Sequence, residues 1–339
     1  MRSEDTLIVG AGPVGLACAI SAKRHGSDPL VIDAGTIVNS ILHYPIGMSF
    51  FTTPELLEIG GHPFTCAGEK PTREEALKYY RGVVRAEQLR LLTYTKLLAA
   101  RKADSGILCR LEQDLARVHP SVISQLQHPA HQTTQQEIRA QRLILATGYY
   151  DNPNSLGVPG ADLPHVRHYF DEAHASVGLD VVVIGGGNSA IEAALQLYRT
   201  GAHVTLVCRN PAFSDSVKYW LKPDIENRIR AGEINAYLGT AVAAIDRRDV
   251  SIQLPDGASK RLRADRVYAL IGFHPDFELF RSIGIELDPD SGVPTIDPNT
   301  LETNVPGVYM AGSTAAGRAT ATVFIENGRH DGEKIFGKG

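Results

Sequence analysis

No stretch of the 339-residue chain stays apolar for longer than a strand before glycine or a charge interrupts it, so no transmembrane helix is expected. Neither charge is in excess: 34 Lys and Arg stand against 38 Asp and Glu, a formal net of -4, which argues against a nucleic-acid partner. Cysteine is sparse. Cys18, Cys66, Cys109 and Cys208 are scattered, with no Cys-x-x-Cys and no metal-ligand spacing, and the expectation is reduced thiols in a cytoplasmic protein. The 12 histidines include no His-x-x-x-His beside carboxylates, so no metal site is expected. A signal peptide is not expected either, because the first strand-like run begins at Thr6. What is left is a soluble protein long enough for two domains.

The elements that are present alternate. Thr6 to Gly10 reads as a buried parallel strand, Gly15 to His25 as a helix closed by Gly26, and Asp28 to Asp33 as a second strand, which together make a βαβ unit. Ala34 to Lys70 is loop-like and rich in Gly, Pro, Thr and aromatic residues, a candidate lining for a ligand. Thr72-x-x-Glu75 is a capping pattern that predicts a helix within Pro71 to Glu87. Residues 89 to 142 read as a β meander with a polar excursion between Val118 and Gln136, and Arg142 to Gly148 as another buried strand. After a connector from Tyr149 to Leu179, a second βαβ unit follows: strand Asp180 to Gly185, helix Ser189 to Thr200, strand Ala202 to Val207. Strand-like segments at Asp265 to Gly272 and Gly307 to Gly312 precede a C-terminal helix from about Thr322 to Phe336.

Each βαβ unit carries a glycine fingerprint. In Gly10-Ala-Gly12-Pro13-Val14-Gly15, the first glycine permits the tight turn and the second lets backbone approach a pyrophosphate. The third lets helix pack closely on strand. Phosphates would then sit on exposed amides at the positive end of the helix. A lone pattern of this kind is weak evidence, but here Asp33 also ends the second strand, where a carboxylate would accept hydrogen bonds from ribose hydroxyls. The second fingerprint, Gly185-Gly-Gly187-Asn188-Ser189-Ala190, has no acid at the corresponding place. Val207-Cys208 is followed by Arg209, whose guanidinium suits a ribose 2′-phosphate and favours NADPH over NADH; the alternative is a solvated surface charge. Lys218 is a lesser candidate for the same phosphate.

Tandem fingerprints, Ala146-Thr147-Gly148 between them, Leu270-Ile-Gly272 after the second unit and a closing Gly307-Val-Tyr-Met-Ala-Gly312 resemble the pyridine nucleotide-disulfide oxidoreductases. The length is similar to the thioredoxin-reductase-like branch. Within it, His43-Tyr-Pro45, Leu57-Glu-Ile-Gly60, Tyr149-Tyr-Asp-Asn-Pro153, His168-Tyr-Phe170 and Phe324-Ile-Glu-Asn-Gly-Arg329 resemble the YpdA-type bacillithiol-disulfide reductases. The resemblance implies an α/β fold of two Rossmann-like dinucleotide-binding domains, each a three-layer ββα arrangement with a parallel sheet. FAD would occupy a discontinuous domain of residues 1–148 and 275–339, and NADPH an inserted domain of 149–274. A homodimer or homotetramer is also implied. Fingerprints and resemblance together nominate as cofactor contacts Gly10, Gly12, Pro13, Val14, Gly15, Asp33, Ala34, Gly35, His43, Thr147, Gly148, Gly185, Gly187, Asn188, Ser189, Ala190, Arg209, Gly272, Gly312 and Ser313. The helix after Gly317 would, by resemblance, point its N-terminus at the flavin.

The departures bear on chemistry. Thioredoxin reductases keep a Cys-x-x-Cys just before the second fingerprint, and Pro164 to Leu179 has no cysteine. The YpdA-type pattern keeps one cysteine at the fifth position of the first fingerprint, where this chain has Val14, and valine forms neither thiolate nor mixed disulfide. Cys18, one turn on, is expected to be a buried, inert thiol. Ser313 stands where the wider superfamily has an Asp, a change the YpdA-type proteins share. Hydride transfer from nicotinamide to flavin needs no protein acid or base, so no catalytic residue is nominated. The leading expectation is an FAD-dependent NADPH oxidoreductase whose acceptor is a low-molecular-weight disulfide, another small molecule or a small redox protein. The alternatives are a ferredoxin- or flavodoxin-NADP reductase of the thioredoxin-reductase-like type, and a redox-state binding protein with slow turnover.

Overall fold

A computed structural model of the protein describes residues 2–117, 133–214 and 216–337. The chain divides into two compact units. One comprises Met1–Leu42, Gly47–Asn152 and Phe273–Gly339, the other His43–Ile46 and Pro153–Gly272. Against the boundaries at 148 and 275 read from sequence, the crossings fall at 152–153 and 272–273, and His43–Ile46 goes with the second unit.

The first unit begins β1 (Arg2–Val9), α1 (Pro13–Arg24), β2 (Leu30–Ile32), the short turns α2 (Asn39–Leu42) and α3 (Pro54–Leu57), and α4 (Arg73–Ala86). Then come β3 (Arg90–Leu92), β4 (Thr95–Ala103), β5 (Gly106–Asp114) and β6 (Thr133–Leu145). The second unit carries β7 (Val166–Arg167), β8 (Asp180–Ile184), α5 (Asn188–Arg199), β9 (His203–Cys208), α6 (Leu221–Arg230) and β10 (Asn235–Leu238). It continues through β11 (Ala241–Ile245), β12 (Asp249–Gln253), β13 (Ser259–Arg263) and β14 (Arg266–Ala269). The chain returns to the first unit in α7 (Phe277–Ile283) and β15 (Val308–Met310), and ends in α8 (Ile325–Gly328) and α9 (Asp331–Phe336).

In the first unit β3, β2, β1, β6 and β15 form a parallel layer, and the first half of β6 is also the last strand of the antiparallel meander β4-β5-β6. Side chains alternate across the parallel strands, so Leu7, Val9, Leu30, Ile32, Leu143 and Leu145 share one core with Leu97, Ile107, Cys109 and Leu111 of the meander. The second unit repeats the plan with a sheet ordered β10-β9-β8-β14-β7. Val181, Val183 and Leu206 face Ile191, Leu195 and Ile225 of the helices, while Val182, Ile184 and Val207 face Val250, Ile252 and Leu262 of the β11-β12-β13 meander. Buried on both faces, the central runs Leu7 to Val9, Leu30 to Ile32, Leu143 to Leu145 and Val181 to Ile184 are apolar, the signal that marked them in the sequence. The expected two-domain, parallel-sheet α/β architecture is the one observed.

Local chemistry sets the helices. Pro13 takes the first position of α1, where its missing N–H would have had no partner, and Lys23 and Arg24 close the helix at its negative end. The capping box on α4 is complete: Glu75 N–H donates to Thr72 Oγ1 (3.2 Å) and Thr72 N–H to Glu75 Oε2 (2.8 Å). The C-terminal segment differs from expectation. It is two short helices, and no helix follows Gly317 directly: residues 318–324 are turns and irregular backbone before α8. Arg329, between the two helices, keeps α-region backbone while its guanidinium donates to Glu55 O (2.6 Å) and Glu58 O (2.9 Å). The polar excursion from 118 to 136 lies mostly outside the described residues.

At the unit boundary the two chain crossings run side by side. His274 N–H donates to Asn152 O (2.9 Å) in the first unit, and Asn154 N–H donates to Gly272 O (3.0 Å) in the second. The Asn154 carboxamide adds a bond from Nδ2 to Ile271 O (3.1 Å). No helix among the described residues is long and apolar enough to cross a membrane.

Candidate cofactor sites

In the first unit the nominated residues converge at the carboxyl ends of β1, β2, β6 and β15. Gly10, at φ +110°, donates its N–H to Ile32 O (2.8 Å). A side chain at Gly10 would run into the Ala146 carbonyl, and one at Gly15 into the Gly10 carbonyl, so both must be glycine for the turn to close. Gly12 is different: nothing lies within 4 Å of where its Cβ would be. That open face is what close approach of a diphosphate requires. α1 has no side-chain cap and no acid in its first turn, so its leading amides remain available to an anion.

Asp33 closes the cradle. Its Oδ2 accepts from Ala11 N–H and its Oδ1 from Gly35 N–H, each at 2.7 Å. Burial pushes this carboxyl up to about 6, against the pull of those two bonds and with a smaller push from the Asp151 charge. Each oxygen keeps a lone pair for a ribose hydroxyl. Thr147 Oγ1 is buried with no protein partner among the described residues, an orphaned polar atom that a ligand would satisfy. Gly148 and Gly312 both have positive φ, and a Cβ on Gly148 would lie 3.9 Å from Ser313 Oγ. Ala34 is exposed beside Asp33. His43 belongs to the second unit, with its ring centroid 6.5 Å from that of Tyr169.

Val14 sits in a cleft between two glycines. Its γ carbons lie 3.2 Å from where a Cβ on Gly312 would be, and Val14 Cγ2 lies 2.9 Å from the corresponding point on Gly328. The other thiols are poorly placed for exchange chemistry. Cys18 is fully buried, and burial, with the Asp331 charge, pushes its thiol far above the ordinary value. Burial pushes the Cys109 thiol up to about 12. Cys208 is buried, and Cys66 donates to Gly68 O (2.9 Å) within its own loop. One functional neighbour escaped the sequence reading: buried Asp331 accepts from Gly312 N–H (2.8 Å) and so fixes the turn over Gly312–Ala316. A lone acid beyond a glycine-rich segment carries no local signal of that contact.

The second unit repeats the cradle. Gly185, at φ +141°, donates to Val207 O (2.9 Å), and a side chain there would meet the Leu270 carbonyl. Gly187 faces open space, and α5 also lacks a side-chain cap and first-turn acids. Ala190 packs beneath, its Cβ 3.0 Å from the Cβ position of Gly185, while Ser189 is exposed. Gly272, at φ +89°, lies against Asn154. Arg209 is exposed just past the end of β9, and no hydrogen bond or ion pair engages its guanidinium among the described residues. Lys218 is committed elsewhere: its Nζ lies 3.5 Å from Glu192 Oε1, and burial raises that carboxyl despite the ammonium.

Two dinucleotide cradles on tandem parallel sheets define a class, and comparison with known proteins places the chain in it. The family model for pyridine nucleotide-disulphide oxidoreductases matches residues 7–123 and 121–312. The bacilliredoxin reductase Bdr of Bacillus subtilis (strain 168) is 39% identical over 335 residues, covering 99% of this chain and 97% of that protein. The solved structure of the bacillithiol disulfide reductase Bdr (YpdA) from Bacillus cereus superposes with a TM-score of 0.92 at 37% identity, covering 99% of this chain and 98% of that one. The thioredoxin reductase of T. acidophilum shares the fold, with a TM-score of 0.72 at 20% identity, covering 99% and 97% of the two chains. The chain therefore belongs to the pyridine nucleotide-disulphide oxidoreductase family, and it is an oxidoreductase.

Proposed function

We propose that the protein is an FAD-dependent NADPH oxidoreductase that passes electrons to a low-molecular-weight disulfide or another small acceptor without a protein thiol. The observation that carries this reading is the pair of complete dinucleotide cradles combined with valine at position 14 and no suitably placed cysteine near the first of them. FAD is assigned to the first unit and NADPH to the second. FAD, held by the first cradle, would supply a two-electron carrier able to accept hydride from a nicotinamide.

The protein's own part is binding and placement. Asp33 holds the ribose of the first dinucleotide, while the bare backbone at Gly12 and the uncapped start of α1 take its phosphates. Gly187 and the start of α5 do the same for the second. Arg209, whose guanidinium no hydrogen bond or ion pair engages among the described residues, would meet the 2′-phosphate, a charge-assisted contact that NADH cannot make. Bacillithiol disulfide is the first acceptor to try, because the relatives at 37–39% identity carry it or its redox protein in their names.

The test is anaerobic mixing of the flavin-loaded protein with NADPH or NADH while the flavin absorbance is followed, then addition of acceptors. Rapid bleaching by NADPH and reoxidation by bacillithiol disulfide are expected. Reoxidation only by ferredoxin or a quinone would replace the acceptor, and no bleaching would leave a nucleotide-binding protein rather than an enzyme.

A further inference from the structure

The described residues after Arg209, 210–214 and 216–218, form an arm folded back over the second glycine loop. Phe213 and Val217 are buried, 7% and 4% exposed, and so anchor a segment whose neighbours Arg209 to Ala212, Ser214 and Ser216 are exposed. The Cβ position of Gly186 lies 4.0 Å from Phe213 Cδ1 and against Cys208 Sγ, so the loop and the arm are in contact. Besides the ion pair of Lys218 Nζ with Glu192 Oε1 of α5 (3.5 Å), one side chain ties them twice. Asn188, the first residue of α5, donates from Nδ2 to Ser216 O (3.2 Å) and accepts at Oδ1 from Lys218 N–H (2.9 Å). Both ends of its carboxamide thus engage the arm, each with one further hydrogen-bonding position left.

We infer that Asn188 is a positioning residue for nucleotide selectivity. By pinning residues 216–218 to the start of α5 it holds the arm that begins at Arg209, so that the guanidinium meets a 2′-phosphate with little further ordering. The physical ground is entropy. An exposed loop that must be fixed each time a ligand binds gives back part of the contact energy, whereas one fixed in advance does not. The inference rests on the reading of the second unit as an NADPH site.

The test measures binding rather than turnover. Affinities of the flavin-loaded protein for 2′,5′-ADP and for 5′-ADP are taken by calorimetry in wild type, Asn188→Ala, Arg209→Ala and the double variant. Wild type should prefer 2′,5′-ADP. Loss of two ordinary hydrogen bonds predicts about 10-fold weaker 2′,5′-ADP binding in Asn188→Ala and less than about 3-fold for 5′-ADP. If Asn188 acts through Arg209, the double variant falls no further than Arg209→Ala alone. Amide hydrogen exchange over residues 214–221 should quicken in Asn188→Ala while the sheet stays protected, which separates a released arm from a misfolded unit. Equal losses for both ligands would make Asn188 part of the phosphate cradle and overturn the inference. So would unchanged affinities, or additive losses in the double variant. A wild type indifferent to the 2′-phosphate would instead sink the NADPH reading, and the inference with it.

Discussion

Asp33 offers a perturbation whose size follows from its surroundings. Held at about 6 against an ordinary 3.8, chiefly by burial, its carboxyl binds a proton more tightly in the folded chain than in the unfolded one. In the flavin-free protein the ionised group therefore costs stability fully above about pH 6, and the cost is relieved as pH falls through 6 toward 3.8. Complete relief is worth about 3 kcal/mol, and the part released between about pH 7.5 and about pH 5 is about 1.4 kcal/mol. Asn at this position keeps the shape and abolishes the titration. It also turns one acceptor into an amide facing a backbone N–H, at a cost of about 1–3 kcal/mol that does not depend on pH. The slope, not the absolute stability, is then the diagnostic. Urea unfolding of flavin-free wild type and Asp33→Asn at the two pH values should show wild type gaining about 1.4 kcal/mol more on acidification. Equal pH responses would refute the argument. With flavin present the sign reverses, because ribose hydroxyls donate to the ionised form. Flavin retention should weaken below about pH 6 in wild type and be weak but level in the variant.

Arg209→Ala should lower kcat/KM for NADPH by about 10- to 150-fold, the worth of a charged hydrogen-bonded contact, and change the value for NADH by less than about 3-fold. Steady-state kinetics with both nucleotides decide it. Gly312→Ala combines a backbone at φ +72° with a methyl placed 3.2 Å from the Val14 γ carbons, and should cost about 1–3 kcal/mol by thermal unfolding, with loss of bound flavin. Cys18→Ala should leave disulfide turnover unchanged and lower stability by about 1 kcal/mol, the price of a small void beneath the packed helix α9. A collapse in turnover with flavin content intact would return Cys18 to the chemistry.

The parts of this structure legible in sequence are those whose physics is local. Gly10 and Gly185 need positive φ, and Gly15 the absence of a side chain, because of strand-to-helix turns only a few residues long, and the capping box on α4 spans Thr72 to Glu75. Buried parallel strands advertise themselves as apolar runs ending in glycine. What stayed hidden depends on residues distant in the chain. The bonds from Asn188 to Ser216 and Lys218 carry no period and no motif. The seat of Val14 between Gly312 and Gly328, and the bond from Gly312 to Asp331, join the first helix to the last segments. The C-terminal segment, expected as one helix, is two short ones with Gly328 and Gly332 near the break, and its Arg329 reaches the distant carbonyls of Glu55 and Glu58.

The side-by-side crossings at Asn152 with His274 and Asn154 with Gly272 bear on how such a chain can be synthesised at all. β15 must pair with the end of β6, yet the second unit, apart from His43–Ile46, is made between them. That unit is nearly contiguous and can fold while the first still waits for its last strand. Once it has folded, its two ends are held a single hydrogen bond apart, and the long intervening chain behaves toward the first sheet like a tight turn. The late strand then docks against a nearly preformed partner, with little of the search that so large a sequence separation would otherwise impose.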